Sequence, residues 1–202
     1  QGVALSSTIH GVRSTIVMPV NAPLSKVEAT KNYGATVILH GASFDEAKDY
    51  AFQVAREKGF TFVHPYEDEK VIAGQGTIGL EILEQIPHLS SIVVPIGGGG
   101  ITSGIAIAAK GINPKIKIIG VQTESVSTMY QLFKNHKYDI IQQPISTLAD
   151  GIAIKKPSQI MFDNFISKYV DDVVTVAEGE IAEAMVFLLE RVKTVAEGSG
   201  AV

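Results

Sequence analysis

Short runs rich in valine and isoleucine alternate along this chain with stretches of helical periodicity, and that alternation limits its fold most. The runs cover residues 14–18, 36–39, 61–63, 92–96, 116–122 and 173–176. They show little polar alternation, the pattern of strands buried on both faces. Between them, residues 43–59 form the clearest helix. Ser43 and Glu46 have capping-box spacing, Phe44, Ala47, Ala51, Val54 and Ala55 share a face, and Gly59 follows as a stop. Pro157 suits the first turn of another helix, with Ile160, Phe162, Phe165 and Ile166 apolar within it. Residues 180–193 give the longest helical pattern, with Ile181, Ala184, Met185, Leu188, Leu189 and Val192 inward. The expected fold is α/β, with open, mostly parallel sheets and helices on both faces in three layers. The polar stretch 64–74 marks a boundary. Residues 1–66 are expected to form a smaller α/β domain and 67–202 part of a larger one.

One of these units carries the main functional signal. Gly97, Gly98, Gly99 and Gly100 stand between an apolar strand and an apolar helix. Glycine permits positive φ and close backbone approach. A helix start adds unpaired N–H groups and a positive dipole end, which together suit a phosphate or other anion. Three readings stay open on these residues alone. The first is a plain strand-to-helix turn. The second is a dinucleotide site: Gly98, Gly100 and Gly104 give G-x-G-x-x-x-G, and Glu124 stands where a ribose-binding acid belongs. Ser103 breaks the strict fingerprint. The third is a phosphate-bearing cofactor such as pyridoxal phosphate, onto which four successive glycine amides can turn. A Walker loop is excluded, since no Gly-Lys-Ser/Thr follows.

Composition narrows the partners. The 202 residues carry a net charge of −4 with scattered basic residues, which points away from nucleic acid. There are no cysteines, so disulfides, thiolate metal sites and a cysteine nucleophile are excluded. His10, His40, His64, His88 and His136 are dispersed without metal-ligand spacing, and no metal is expected. No apolar run reaches the ~20 residues of a membrane span, and a cytoplasmic location is expected. The chain begins at Gln1 in an apolar stretch and stops at Val202 where another element starts, so both ends are expected to continue in a longer protein.

Seven segments then point to a family. They are Gln1-Gly-Val-Ala4, Lys31-Asn-Tyr-Gly-Ala35, His64-Pro-Tyr-Glu-Asp68, Val71-Ile-Ala-Gly-Gln-Gly-Thr-Ile-Gly-Leu-Glu81, Val94-Pro-Ile-Gly-Gly-Gly-Gly100, Leu148-Ala-Asp-Gly151 and Ala196-Glu-Gly-Ser-Gly-Ala201. In this order and across essentially the whole chain, they resemble the threonine/serine dehydratase branch of fold-type II pyridoxal-phosphate enzymes.

The resemblance implies pyridoxal phosphate as cofactor, with its phosphate on Gly97, Gly98, Gly99 and Gly100 and with Ile101 giving the first helical amide. It places Glu197, Asp150, Gly151 and Tyr66 beside the cofactor and substrate. Ser199 reads as a turn residue, because Gly198-Ser-Gly200 is not a nucleophile elbow. Some relatives hold a divalent cation through a glutamate at the position of Gln122; with Val126 and Thr128 also changed, no cation is expected here. Gln1 and Tyr33 match positions implicated in an AMP response.

The family's Schiff-base lysine stands in Ser-Phe-Lys-x-Arg-Gly. None of Lys26, Lys31, Lys48, Lys58 or Lys70 has that context, so it is expected upstream of Gln1 and the chain alone is expected to be inactive. The implied reaction of the whole protein is β-elimination from L-threonine or L-serine, giving 2-oxobutanoate or pyruvate and ammonia. A homo-oligomer, dimer or tetramer, is expected at full length. The alternatives are a serine racemase-like relative, a non-catalytic nucleotide- or phosphate-binding α/β domain, and an NAD-dependent oxidoreductase domain.

Overall fold

A computed structural model describes residues 1–202. They fall into two compact units, Gln1–Val63 and His64–Val202. In both, parallel strands are joined through helices.

The first unit runs α1 (Gly2–Ile9), β1 (Thr15–Met18), α2 (Leu24–Asn32), β2 (Thr36–Leu39) and α3 (Phe44–Lys58). β1 and β2 pair in parallel, Thr15 opposite Thr36 and Met18 opposite Leu39. The ends of α3 follow from its sequence. Ser43 Oγ accepts the Glu46 N–H, and Glu46 reaches back to the Ala42 N–H at 3.0 Å. Gly59 closes the helix in the left-handed region at φ 67°. Residues 61–63, expected as a strand, are irregular and pair with nothing in the sheet. Phe62 instead stacks on Phe52 of α3, ring centroids 3.9 Å apart, so its apolar surface is covered without a ladder.

The second unit runs α4 (Glu69–Gln85), β3 (Ser91–Pro95), α5 (Gly100–Ile112), β4 (Lys117–Thr123) and α6 (Thr128–Asn135). It continues through a 3-10 turn (Asp150–Ile152), then α7 (Gln159–Met161), a π turn (Phe162–Ile166) and α8 (Ser167–Tyr169). It ends with β5 (Asp172–Val176), α9 (Glu178–Phe187), a second π turn (Leu188–Val192) and a 3-10 turn (Gly198–Gly200). The sheet order is β3-β4-β5, all parallel, with Ser91 opposite Lys117 and Ile119 opposite Asp172. Val94, Ile96, Ile118, Met129, Ile166 and Val173 form a buried core on this sheet. Each contributes about 1.5–3 kcal/mol of burial.

α4 occupies most of the stretch expected to be a polar boundary. It starts where it does because Asp68 Oδ1 accepts the N–H groups of Lys70 and Val71 at 2.8 and 3.2 Å. Its buried face alternates large and absent side chains: Ile72 and Leu83 flank Gly76 and Gly79. A Cβ on Gly76 would lie 3.1 Å from the Gly104 carbonyl oxygen, and one on Gly79 3.0 Å from that of Ile105. From the other side, a Cβ on Gly104 would lie 2.4 Å from the Ile72 oxygen. The two helices meet backbone to backbone.

Two helix expectations are corrected. Pro157 lies outside the helix, because Ser158 supplies the cap, its Oγ accepting the Met161 N–H at 3.1 Å. The pattern over 180–193 begins earlier, at Glu178, and changes to a π turn at Leu188. The wider turn swings Leu189 and Val192 outward, and both are exposed. No helix is long and apolar enough to cross a membrane.

Candidate functional site

β3 delivers the chain to the glycine turn through Ile96, which is fixed on three sides. Its N–H donates to the Val121 carbonyl at 2.8 Å. Its own carbonyl accepts from Gln122 Nε2 at 3.1 Å. Its side chain covers Gly120, where a Cβ would lie 2.0 Å from Ile96 Cδ1. Gln122 is fully buried, and its Oε1 also accepts the Tyr130 N–H of α6 at 2.8 Å. One buried amide thus ties the entrance of the turn to the start of α6.

Beyond Ile96 the chain turns at Gly99, which has φ 96°, a value that disfavours side chains with a Cβ. Gly100 is the first helical residue, and Ile101, expected to give the first helical amide, gives the second. Ser103 N–H donates to the Gly99 carbonyl at 2.8 Å, and Thr102 Oγ1 donates to the Pro95 carbonyl at 2.9 Å. None of the backbone turn and cap hydrogen bonds is donated by Gly97, Gly98, Gly99, Gly100 or Ile101. Gly98, Gly99 and Gly100 are nevertheless buried. Ser103 Oγ, also fully buried, has no partner among the protein atoms.

The Cβ side of each glycine faces protein. A Cβ on Gly97 would lie 2.9 Å from Ile152 Cα. On Gly98 it would meet the Tyr66 ring at 2.4 Å, and on Gly100 Tyr66 Cβ at 2.8 Å. On Gly99 it would contact Ile166 at 3.4 Å. Packing therefore demands glycine at Gly97, Gly98 and Gly100, and conformation demands it at Gly99.

Tyr66 is held there by the turn before α4. His64 Nδ1 accepts the Glu67 N–H at 2.9 Å and the Tyr66 N–H at 3.3 Å. Its Nε2 lies 3.4 Å from Glu67 Oε2. An Nδ1 that accepts carries no proton, so this arrangement assigns the Nε2–H tautomer to the ring. The imidazole meets the Tyr66 ring edge-on, centroids 4.7 Å apart.

The Asp150 turn closes another side. Gly151 N–H donates to Ser199 Oγ at 2.9 Å. A Cβ on Gly151 would lie 3.4 Å from Glu197 Oε1, and one on Gly198 would lie 2.1 Å from the Leu148 carbonyl oxygen. Asp150, Gly151, Glu197 and Ser199 thus belong to one pair of interlocked turns, and Ile152 of the first turn backs Gly97. Ser199 is buried as an acceptor in a turn. Gln1 and Tyr33 lie in the first unit, at the start of α1 and the end of α2, where Thr8 Oγ1 donates to the Tyr33 carbonyl.

Glu178 belongs to none of the seven family-like segments and stands in no motif of its own. It is the first residue of α9, directly beyond β5, and that acidic start after a buried strand is the available signal. Its Oε1 accepts from Thr123 Oγ1 at 2.7 Å and its Oε2 from the Leu148 N–H at 2.9 Å. Burial pushes its carboxyl up, but the Leu148 amide and the hydroxyls of Thr147, Thr123 and Ser125 outweigh that and hold it below the usual range.

A parallel α/β unit with buried glycines ahead of a 13-residue helix, at the C-terminal ends of its strands, is an arrangement able to hold an anion, the α/β class whose ligands sit at strand ends. These residues fit a phosphate dianion. The family follows: the chain belongs to the pyridoxal-phosphate dependent enzymes, whose family model matches residues 1–202. An L-threonine ammonia-lyase of Thermotoga maritima is 52% identical over 202 residues, covering 100% of this chain and 50% of that protein. The solved structure of maize serine racemase superposes with a TM-score of 0.90 at 38% identity, covering 99% of this chain and 60% of that one. The processed form of threonine deaminase isoform 2 from Solanum lycopersicum gives 0.89 at 34%, covering 100% and 55%. The chain spans about half the length of the curated relatives it matches.

Proposed function

We propose that this chain is the phosphate-holding part of an L-threonine (or L-serine) ammonia-lyase. The buried glycine amides at the head of α5 carry this proposal. The kinship with an L-threonine ammonia-lyase and a threonine deaminase supports it. Gly97, Gly98, Gly99 and Gly100, with Ile101, hold the cofactor's phosphate, and the α5 dipole adds attraction of about 0.3–1 kcal/mol or more in a buried setting. When bound, pyridoxal phosphate supplies a ring that takes up the electron pair left when an amino acid's Cα–H bond breaks.

The chain's own residues position and shield. Tyr66 packs against the loop on the Cβ side of Gly98 and Gly100. Asp150 and Gly151 border the substrate. Glu197 presents a carboxylate on the same side. The lysine that moves the Cα proton comes from a Ser-Phe-Lys-x-Arg-Gly segment of the longer protein. Loss of the Cα proton and β-hydroxyl, then hydrolysis of the C–N bond, gives 2-oxobutanoate and ammonia from threonine, or pyruvate and ammonia from serine. The whole protein works as a cytoplasmic homo-oligomer in this proposal.

Titrating the 15N-labelled chain with pyridoxal phosphate tests the site. Shifts should centre on Gly97–Gly100, and shifts confined elsewhere would refute it. For the whole protein, 2-oxobutanoate formation from L-threonine should exceed racemisation of L-serine. The similarity to maize serine racemase makes the opposite result the informative alternative.

A further inference from the structure

We propose that Glu178 is a positioning residue for the anion cradle. Its carboxylate fixes the turn that backs Gly97, and so controls how tightly Gly97–Gly100 grip an anion. The proposal rests on the anion-binding role given to that loop above.

The connection runs through a short series of contacts. Glu178 stands at the junction of β5 and α9, anchored on rigid elements. One carboxylate oxygen takes the Thr123 hydroxyl at the end of β4, and the other takes the Leu148 N–H. The hydroxyls of Thr147 and Ser125 add to the set. Thr123 and Leu148 lie 55 and 30 residues from Glu178 in sequence. A single side chain therefore joins the end of the central strand to an otherwise irregular segment.

From Leu148 the constraint passes along a tight backbone. Thr147 Oγ1 accepts the Ala149 N–H at 3.1 Å, and the Ala149 carbonyl accepts the Ile152 N–H at 3.1 Å. Ile152 then presses on Gly97, leaving no room for a Cβ there. Leu148 also has its carbonyl against Gly198, which fixes the Glu197–Ser199 turn from the same point. Charge-assisted hydrogen bonds are about twice as strong as neutral ones. Replacing the carboxylate with a carboxamide turns one acceptor into a donor that faces a hydroxyl or the Leu148 N–H.

The test uses sulfate, which keeps one charge state across mildly acidic and neutral pH, on the 15N-labelled 202-residue chain. Glu178→Gln should weaken sulfate binding at the Gly97–Gly100 amides about three- to tenfold. Hydrogen exchange at Leu148 and Gly151 should speed up at least about tenfold, while Ser103 in α5 keeps its protection. Wild-type affinity in Glu178→Gln would overturn the proposal, and so would an equal loss of protection at Ser103, which marks a general scaffold role. If Glu178→Gln does not fold, Thr147→Val removes the loop-side hydroxyl and must reproduce the loss; unchanged affinity there overturns the proposal. Wild-type chain whose Gly97–Gly100 amides ignore sulfate would overturn the loop's anion role as well, an outcome distinct from unchanged binding in the variant alone.

Discussion

The Tyr66 ring fills the space that a side chain on Gly98 would need: a Cβ there would lie 2.4 Å from Tyr66 Cδ1. Gly98→Ala should therefore cost about 1–3 kcal/mol by forcing the ring or the loop aside. Tyr66→Ala removes the obstacle, so the two substitutions should be coupled by about 1 kcal/mol in a double-mutant cycle measured by urea unfolding. Strict additivity would show that the loop, not the ring, sets the cost.

Gln122 is the polar joint between the glycine loop and α6, and it is fully buried. Gln122→Leu keeps similar bulk but leaves the Ile96 carbonyl and the Tyr130 N–H without their partner. The expected loss is about 2 kcal/mol or more. Calorimetry of the variant checks this, and an unchanged melting temperature would contradict the assignment of both bonds.

Asp171 sets an acid limit. Burial raises its pKa, but the hydrogen bond from Lys110, the Ile118 N–H and the charges of Lys110 and Lys117 outweigh it and hold the carboxyl below its ordinary value of 3.8. A carboxyl depressed on folding stabilises the protein above its unfolded pKa. That contribution is lost as pH falls through the lower folded value. Denaturation midpoints should drop below about pH 4, and Asp171→Asn should flatten that part of the profile. A variant with the wild-type slope would assign the acid sensitivity to other carboxylates.

The 202-residue chain, purified and supplied with pyridoxal phosphate, should form no 2-oxo acid from L-threonine or L-serine. No lysine in it stands in a Ser-Phe-Lys-x-Arg-Gly context. Steady product formation would mean that a lysine of this chain substitutes for it.

What can be read in the sequence is local, and what cannot is long-range. The Ser43–Glu46 cap and the Gly59 stop of α3 are set within a few residues, so spacing reveals them. The strand–glycine–helix unit is legible for the same reason. Residues 61–63 resemble a strand because β-rich composition does not say whether a side chain finds a sheet or, as Phe62 does, a helix. α4 is hard to read because two of the four buried positions on its inner face, Gly76 and Gly79 between Ile72 and Leu83, are glycines, which weakens its hydrophobic periodicity. In the candidate site, the glycine loop itself is visible. Its supports reach far along the chain: Gln122 to Ile96 across 26 residues, and Glu178 to Leu148 and Thr123 across 30 and 55. Nothing in their immediate neighbours records that.

The backbone-to-backbone crossing of α4 and α5 has a thermodynamic consequence. At Gly76, Gly79 and Gly104 backbone packs on backbone, with no long side chain at the crossing itself to rearrange. If the loop holds an anion as proposed, the head of α5 should be ordered before the anion arrives. The ordering entropy is lost once, when the chain folds, rather than at each encounter, so association should be limited by diffusion and dehydration rather than by a change of shape.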